Sequence, residues 1–122
     1  MSRDDVAARL LIALERCDDL ALAGALHPDA RMVVDAGDKT GGELEGRARV
    51  IRRLKELLTR HPDAALEAAH ANGRPALALR RRQSGEVIGV LAMDADAAAH
   101  SLWLTTAPAK LVNWNRRRPE IE

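Results

Sequence analysis

"AALEAAHANGRPALALRRRQSGEVIGVLAMDAD", residues 64–96, decides the fold. It divides into three short segments of β-type pattern, separated by "NGRP" (72–75) and "QSGE" (83–86). Asn72 and Gly73 both tolerate positive φ, so the first break is a tight hairpin turn. Residues 64–71, 76–82 and 87–96 are therefore expected as consecutive strands, with "SLWLTT" (101–106) as the next. Along the first, Ala64, Leu66, Ala68 and His70 share a face. In the third, simple alternation puts Val87, Leu91 and Met93 on one side and Ile88, Val90 and Ala92 on the other. A strand apolar on both faces needs a second layer or a partner chain.

Upstream the period changes to helical. Ser2 is a candidate N-cap with Asp5 three residues on, and Val6, Leu10, Ala13, Leu14 and Cys17 follow at helical spacing. Asp18 and Asp19 restart a short helix through Leu20, Leu22 and Leu26, which His27 and Pro28 end. "ARMVVDA" (30–36) reads as a strand, and Gly41 and Gly42 as a flexible elbow. Within "ELEGRARVIRRLKELLTRH" (43–61), Val50, Ile51, Leu54, Leu57 and Leu58 form one apolar face with basic residues opposite, which predicts a third helix stopped by His61 and Pro62. The order helix, helix, strand, helix and four strands defines an α+β class: a curved, mostly antiparallel sheet packed on three helices. Residues 1–115 are expected as one domain, and the basic stretch 116–122, "RRRPEIE", as a flexible tail.

Composition narrows the function. The chain has 122 residues, a formal net charge of +1, one cysteine, two tryptophans and neither tyrosine nor phenylalanine. No tyrosine hydroxyl can therefore serve as acid or oxyanion donor. A single cysteine, Cys17, excludes an internal disulfide, and the absence of a bilayer-length apolar run and of a basic-then-apolar leader predicts a cytoplasmic protein with no membrane contact. Near-neutrality argues against nucleic acid as a dedicated partner, although Arg49, Arg52 and Arg53 on the third helix are a basic feature to be accounted for. Arg80–Arg82 and Arg116–Arg118 read as solvated charge.

Taken together, the element order, "DLALAGALHPDARMVV" (19–34), "DAGDK" (35–39), "NGRPALAL" (72–79), "VIGVLAMDAD" (87–96) and "APAKL" (107–111) resemble the SnoaL-like domain of the nuclear-transport-factor-2-like superfamily. The likeness is nearest to the domain that ends some extracytoplasmic-function sigma factors, and it covers roughly residues 5–115. "DAGDK" keeps Asp35, Gly37 and Lys39 of that domain's Asp-Gly-Gly-Gly-Lys loop, with Ala36 and Asp38 at glycine positions. "APAKL" keeps Pro108, Lys110 and Leu111 of its Asn-Pro-Asp-Lys-Leu motif, with Ala107 and Ala109 in place of polar groups. The resemblance implies a sheet curved around helices into a cone with an apolar pocket, often dimeric through the outer sheet face. Sigma-type helical regions do not precede the domain here, so transcription initiation is not expected.

Asp35 is the first candidate for chemistry. At a strand end it could act as a general base if partly desolvated, with His70 as its acid–base partner. The same carboxylate could equally accept backbone hydrogen bonds in an Asx-type turn with Lys39 as counter-charge, and His70 could be an edge histidine with one hydrogen bond. Asp35, Asp38, Lys39 and Trp103 are the candidate ligand-binding residues, and Trp103 is the main aromatic surface for a pocket or a dimer contact. Trp114 is expected to cover the open end of the sheet. Asp94 and Asp96 read as turn caps. No spacing of histidines and acids suggests a metal, and no glycine-rich phosphate loop suggests a cofactor, so none is expected. Two functions stay open: a small apolar-ligand binder or modest isomerase, cyclase or hydrolase, and a dimeric interaction module whose "DAGDK" and "APAKL" stretches share a polar surface.

Overall fold

The computed structural model describes residues 2–115, and the expected tail at 116–122 lies outside them. The chain opens with α1 (Arg3–Glu15) and α2 (Asp19–Ala25), joined without slack. Ser2 caps α1 in a reciprocal box, its Oγ accepting from the Asp5 N–H while Asp5 accepts from the Ser2 N–H. At the other end Cys17 adopts φ +51°, and the N–H groups of Cys17 and Asp18 reach back to the carbonyls of Leu14 and Ala13. That is the Schellman ending, with a cysteine where glycine is usual. Asp18 then caps α2 by accepting from the Ala21 N–H at 3.1 Å.

Six strands follow: β1 (Leu26–Asp35), β2 (Gly42–Glu45), then, after α3 (Arg47–Arg60), β3 (Ala64–Ala71), β4 (Arg74–Arg81), β5 (Val87–Ala95) and β6 (Ala99–Thr105). A short 3-10 turn (Pro108–Lys110) and α4 (Val112–Asn115) close the described chain. The sheet order is β2-β1-β6-β5-β4-β3, antiparallel except for the β1–β6 pair. Asn72 and Gly73, both at positive φ, make the β3–β4 hairpin as the sequence predicts. Two boundaries differ from expectation. The strand predicted at residue 30 begins at Leu26, because Leu26 turns inward to join the core instead of extending α2. β2 was not expected at all; its four residues pair with Arg31–Val34 and place Leu44 against the core.

All three long helices lie on one face. Val6, Leu10 and Leu14 of α1, Leu22 of α2 and Val50, Leu54 and Leu57 of α3 meet Met32, Val34, Leu77, Leu79, Leu91, Met93, Leu102 and Leu104 from the strands. The centre of the cone, where an apolar pocket was expected, is filled by side chains. There, between helices and sheet, lies a void of about 20 Å³ bordered by Leu54, Leu77, Leu79, Gly89, Leu91 and Leu104, roughly the space of one water in an apolar setting. Branched leucines on both layers have interdigitated across it. At the rim of the cone a more open space of about 340 Å³ is bordered by Leu14, Cys17, Leu58, His61, Ala64 and Leu66.

The strand β5 also corrects the face assignment. Leu79 pairs with Gly89 but Arg80 pairs with Val87, so Ile88 is an extra residue in a bulge. The bulge reverses the alternation: Val87 joins Val90 on the outer face, while Ile88 packs toward the helices. The side-chain amide of Asn115 holds this point, accepting from the Val87 N–H at 2.7 Å and donating to its carbonyl at 3.0 Å. That contact draws α4 over the outer face, where Leu111 and Trp114 cover Ala76, Ala78, Val87 and Val90. Trp114 therefore sits on the sheet surface and does not plug an open end.

Candidate functional site

Strand register determines what the outer face presents. A row across the sheet runs Glu43, Val33, Trp103, Ala92, Ala76 and Ala69, each residue the registered partner of the next. Beside it runs Asp35, Thr105, Val90, Ala78 and Glu67, with Arg31 and Ser101 in the row on the other side. Alanines make a low floor and charges stand at the margins. α4 covers one half, leaving Val33 and Trp103 side by side at 43% and 36% exposure. Between that open half and α4 lies a groove of about 360 Å³, bordered by Trp103, Trp114, Arg74, Thr105, Lys110 and Leu111. Both tryptophans of the chain thus border the same groove.

The polar groups around this surface are already committed to one another. The Arg74 guanidinium lies 4.8 Å from the centre of the Trp103 ring, a cation–π contact, and its Nε donates to Asp94 at 3.0 Å. Asp94 is therefore a cross-strand ion-pair partner, not a turn cap. Arg31 is ion-paired with Glu43. Asp35 is ion-paired with Lys110 of the 3-10 turn, and its Oδ1 accepts from the Gly37 N–H at 3.2 Å. The Asx-type turn anticipated for Asp35 is present, but its counter-charge is Lys110 and not Lys39.

This arrangement bears directly on proton chemistry. The Lys110 hydrogen bond, helped by the Gly37 N–H, holds the Asp35 carboxyl below the usual carboxylate range against a weaker opposing effect of desolvation. A carboxylate made more acidic and already carrying two donors is a poor general base at neutral pH. His70 does not reach it. Its Nε2 lies 3.0 Å from Asp4 of α1, so it faces the helix side, whereas Asp35 is on the outer face with β6, β5 and β4 between their strands. The expected Asp35–His70 pair is not assembled.

The remaining sequence candidates divide similarly. Asp38 Oδ1 accepts from the Thr40 N–H at 2.8 Å and the Thr40 hydroxyl at 2.6 Å, bonds that keep its carboxyl below the ordinary range and use it to shape the turn. Lys39 is exposed and has no hydrogen-bond or ion-pair partner among the described residues. The loop that carries both is pressed onto the "APAKL" stretch: a Cβ on Gly37, whose φ is +79°, would stand 3.2 Å from the Ala107 Cβ, and the Thr106 N–H donates to the Asp35 carbonyl at 2.9 Å. The two motifs that carried the resemblance meet in space through Asp35 and Lys110. Arg74 and Trp114 were not foreseen as part of this surface. The signal for Arg74 was its period-two relation to Ala76 and Ala78; for Trp114 there was none, because α4 is placed by the tertiary contact of Asn115.

No family model and no curated protein matches the sequence. Solved structures do. The extracytoplasmic function sigma factor SigJ of Mycobacterium tuberculosis aligns with a TM-score of 0.67 at 20% identity, over 90% of this chain and 44% of that one, so this chain spans under half the sigma factor's length. A nuclear-transport-factor-2-like protein of unknown function from Burkholderia pseudomallei aligns at 0.60 and 20% identity, over 93% and 97% of the two chains. A de novo designed protein with a curved β-sheet aligns at 0.63 and 18% identity, over 94% and 98%. A designed chain among these likenesses shows that the architecture alone specifies no activity. At these identities the comparisons establish the fold of this chain, and that fold is the curved-sheet, nuclear-transport-factor-2-like and cystatin-like one.

Proposed function

We propose that this chain is a self-associating binding module that works through the outer face of its sheet, with a second copy of itself as the partner. The observation that carries the reading is the exposed Val33–Trp103 pair, registered partners on β1 and β6 in the half of that face that α4 leaves open. The charges around it favour an identical partner. Arg31 with Glu43, Arg74 with Asp94 and Lys110 with Asp35 are neutralised within each copy, so two equal faces meet without like-charge repulsion. The cytoplasmic setting of this module rests on composition and the single cysteine.

Sedimentation velocity over a concentration series tests it. The wild-type chain is expected to shift from one to two copies, and Trp103→Glu to remain a single copy with unchanged far-ultraviolet dichroism. A wild type that stays monomeric at its highest workable concentration overturns the proposal.

A second reading is favoured by the groove between Trp103 and Trp114, whose 360 Å³ lies within the range of small-molecule sites, about 300–1,000 Å³. The apolar ligand expected from the sequence would then bind outside the cone, against the tryptophans. With no other aromatic residue in the chain, intrinsic fluorescence reports this groove alone. A compound that shifts the emission without changing the sedimenting mass supports this reading over self-association.

A further inference from the structure

We propose that the depression formed by Arg49, Arg52 and Arg53 on α3, next to the edge strand β2, is a binding site for a phosphate or pyrophosphate group on a small non-aromatic ligand. It lies away from the outer sheet face and does not depend on the self-association reading. Helical spacing explains the cluster: Val50, Leu54 and Leu57 are buried, which leaves positions 49, 52, 53 and 56 turned to the other side. They border an open depression of about 380 Å³ with Leu44 of β2 as its apolar wall.

These arginines differ from most of those among the described residues. Arg31, Arg60, Arg74, Arg80 and Arg81 are in ion pairs, and Arg47 and Arg82 donate to backbone carbonyls. Arg49, Arg52 and Arg53 have no hydrogen-bond or ion-pair partner among the described residues. Arg53 is half-buried, with its Nη1 shut off from solvent, so the rest of its guanidinium is what it offers to the depression. Glu56, the one acid among the described residues that borders the depression, is paired with Arg60 at 3.0 Å and not with the three arginines.

The chemistry of the donors selects the ligand. A guanidinium offers a planar fork of N–H groups that fits two oxygens at once, and three forks in one depression exceed what a single carboxylate can accept, whereas phosphate and pyrophosphate present more oxygens and more charge. No aromatic side chain borders the depression, so a nucleobase would have no stacking surface and a nucleic acid strand is disfavoured.

The test is isothermal titration of the full chain with sodium pyrophosphate, and separately with inorganic phosphate, at low ionic strength. Arg53→Lys, which keeps the charge and loses the fork, is expected to weaken pyrophosphate binding about tenfold, the loss of roughly one charge-assisted hydrogen bond. Arg49→Gln and Arg52→Gln are each expected to weaken it several-fold, with melting temperatures near wild type confirming that all fold. Arg16→Gln, a control for another arginine without a partner, is expected to bind as wild type. Equal weakening by Arg16→Gln, wild-type binding by Arg53→Lys, or binding of a single-stranded oligonucleotide without binding of pyrophosphate each overturns the proposal.

Discussion

The two faces of the same sheet are built from alternate residues of the same strands, yet they have been used in opposite ways. Toward the helices most large positions are leucine, methionine or valine, and helix and sheet side chains have filled the centre of the hollow until about one water's space remains there. On the outer side the corresponding positions are alanines, valines, Trp103 and charges paired in situ, and half the surface is left open. A cone fold becomes a container only if its inner residues are small enough to leave room, and here leucines and methionines fill the middle of the inner face while alanines floor the middle of the outer one. The middle of the cone is therefore filled, its remaining opening is at the rim by Leu14, Leu58 and Leu66, and an exposed apolar pair, Val33 and Trp103, lies where the resemblance implied a dimer contact.

Neighbouring residues on β6 give the sharpest test of that contrast. Leu102 is 1% exposed in the interior and Trp103 is 36% exposed on the outside. Leu102→Ala is expected to cost about 2–5 kcal/mol in urea unfolding, since the surrounding leucines cannot collapse fully into the gap. Trp103→Ala at low protein concentration is expected to cost about 1 kcal/mol, mostly its Arg74 contact and partial burial, while removing the concentration dependence of the melting temperature. Comparable costs for the two would mean that the faces are energetically alike, and the contrast would fail.

How much of this was legible beforehand follows from which signals are local. The helices, the Asn72–Gly73 hairpin and the α+β order rest on capping, turn chemistry and period, all carried by residues close in sequence. The bulge at Ile88 was not legible. It exists because Arg80 pairs with Val87 on a different strand, and no property of "VIGVL" alone announces an extra residue. β2 was hidden for a related reason: "GELE" has weak strand propensity and is held by pairing to β1. At the site, Asp35 was recognised as either base or turn anchor, but its decisive neighbour, Lys110, is 75 residues away in sequence. The emptiness or fullness of the cone depends on summed side-chain volumes across layers, which a pattern of apolar positions does not encode.

A substitution of intermediate effect probes the central void. Gly89 borders it, on the inner face of β5, and a Cβ there would meet the Thr106 Cγ2 at 3.6 Å and the Leu79 Cβ at 3.8 Å, ordinary contact distances. Its φ lies outside the left-handed range. Gly89→Ala is therefore expected to stabilise the fold by about 0.4–1 kcal/mol, through fewer unfolded conformations and a better-filled interior, read as a rise in the urea midpoint. A loss of stability would show that the inner face has no space left to give, making the contrast between faces more extreme than the geometry indicates.

The smallest expected effect belongs to the junction of the two loops at the edge of the outer face. Lys110 and the Gly37 N–H lower the folded-state pKa of Asp35, whereas in the unfolded chain the group returns to an ordinary value of about 3.9. Its contribution to stability is accordingly complete above that ordinary value and is lost as the pH falls through the lower folded-state value. Asp38 and Asp63 are lowered as well, by Thr40 and by Arg81, so acid weakens the fold for several reasons at once. Comparing wild type with Asp35→Asn cancels those shared contributions. The gap between their urea midpoints is expected to be constant from about pH 7 to about pH 5 and to narrow steadily below about pH 4. A gap that stays level into acid would mean that the Asp35 carboxylate gains nothing from Lys110, and that the contact between "DAGDK" and "APAKL" rests on the backbone bond from Thr106 and the close packing of Gly37 on Ala107.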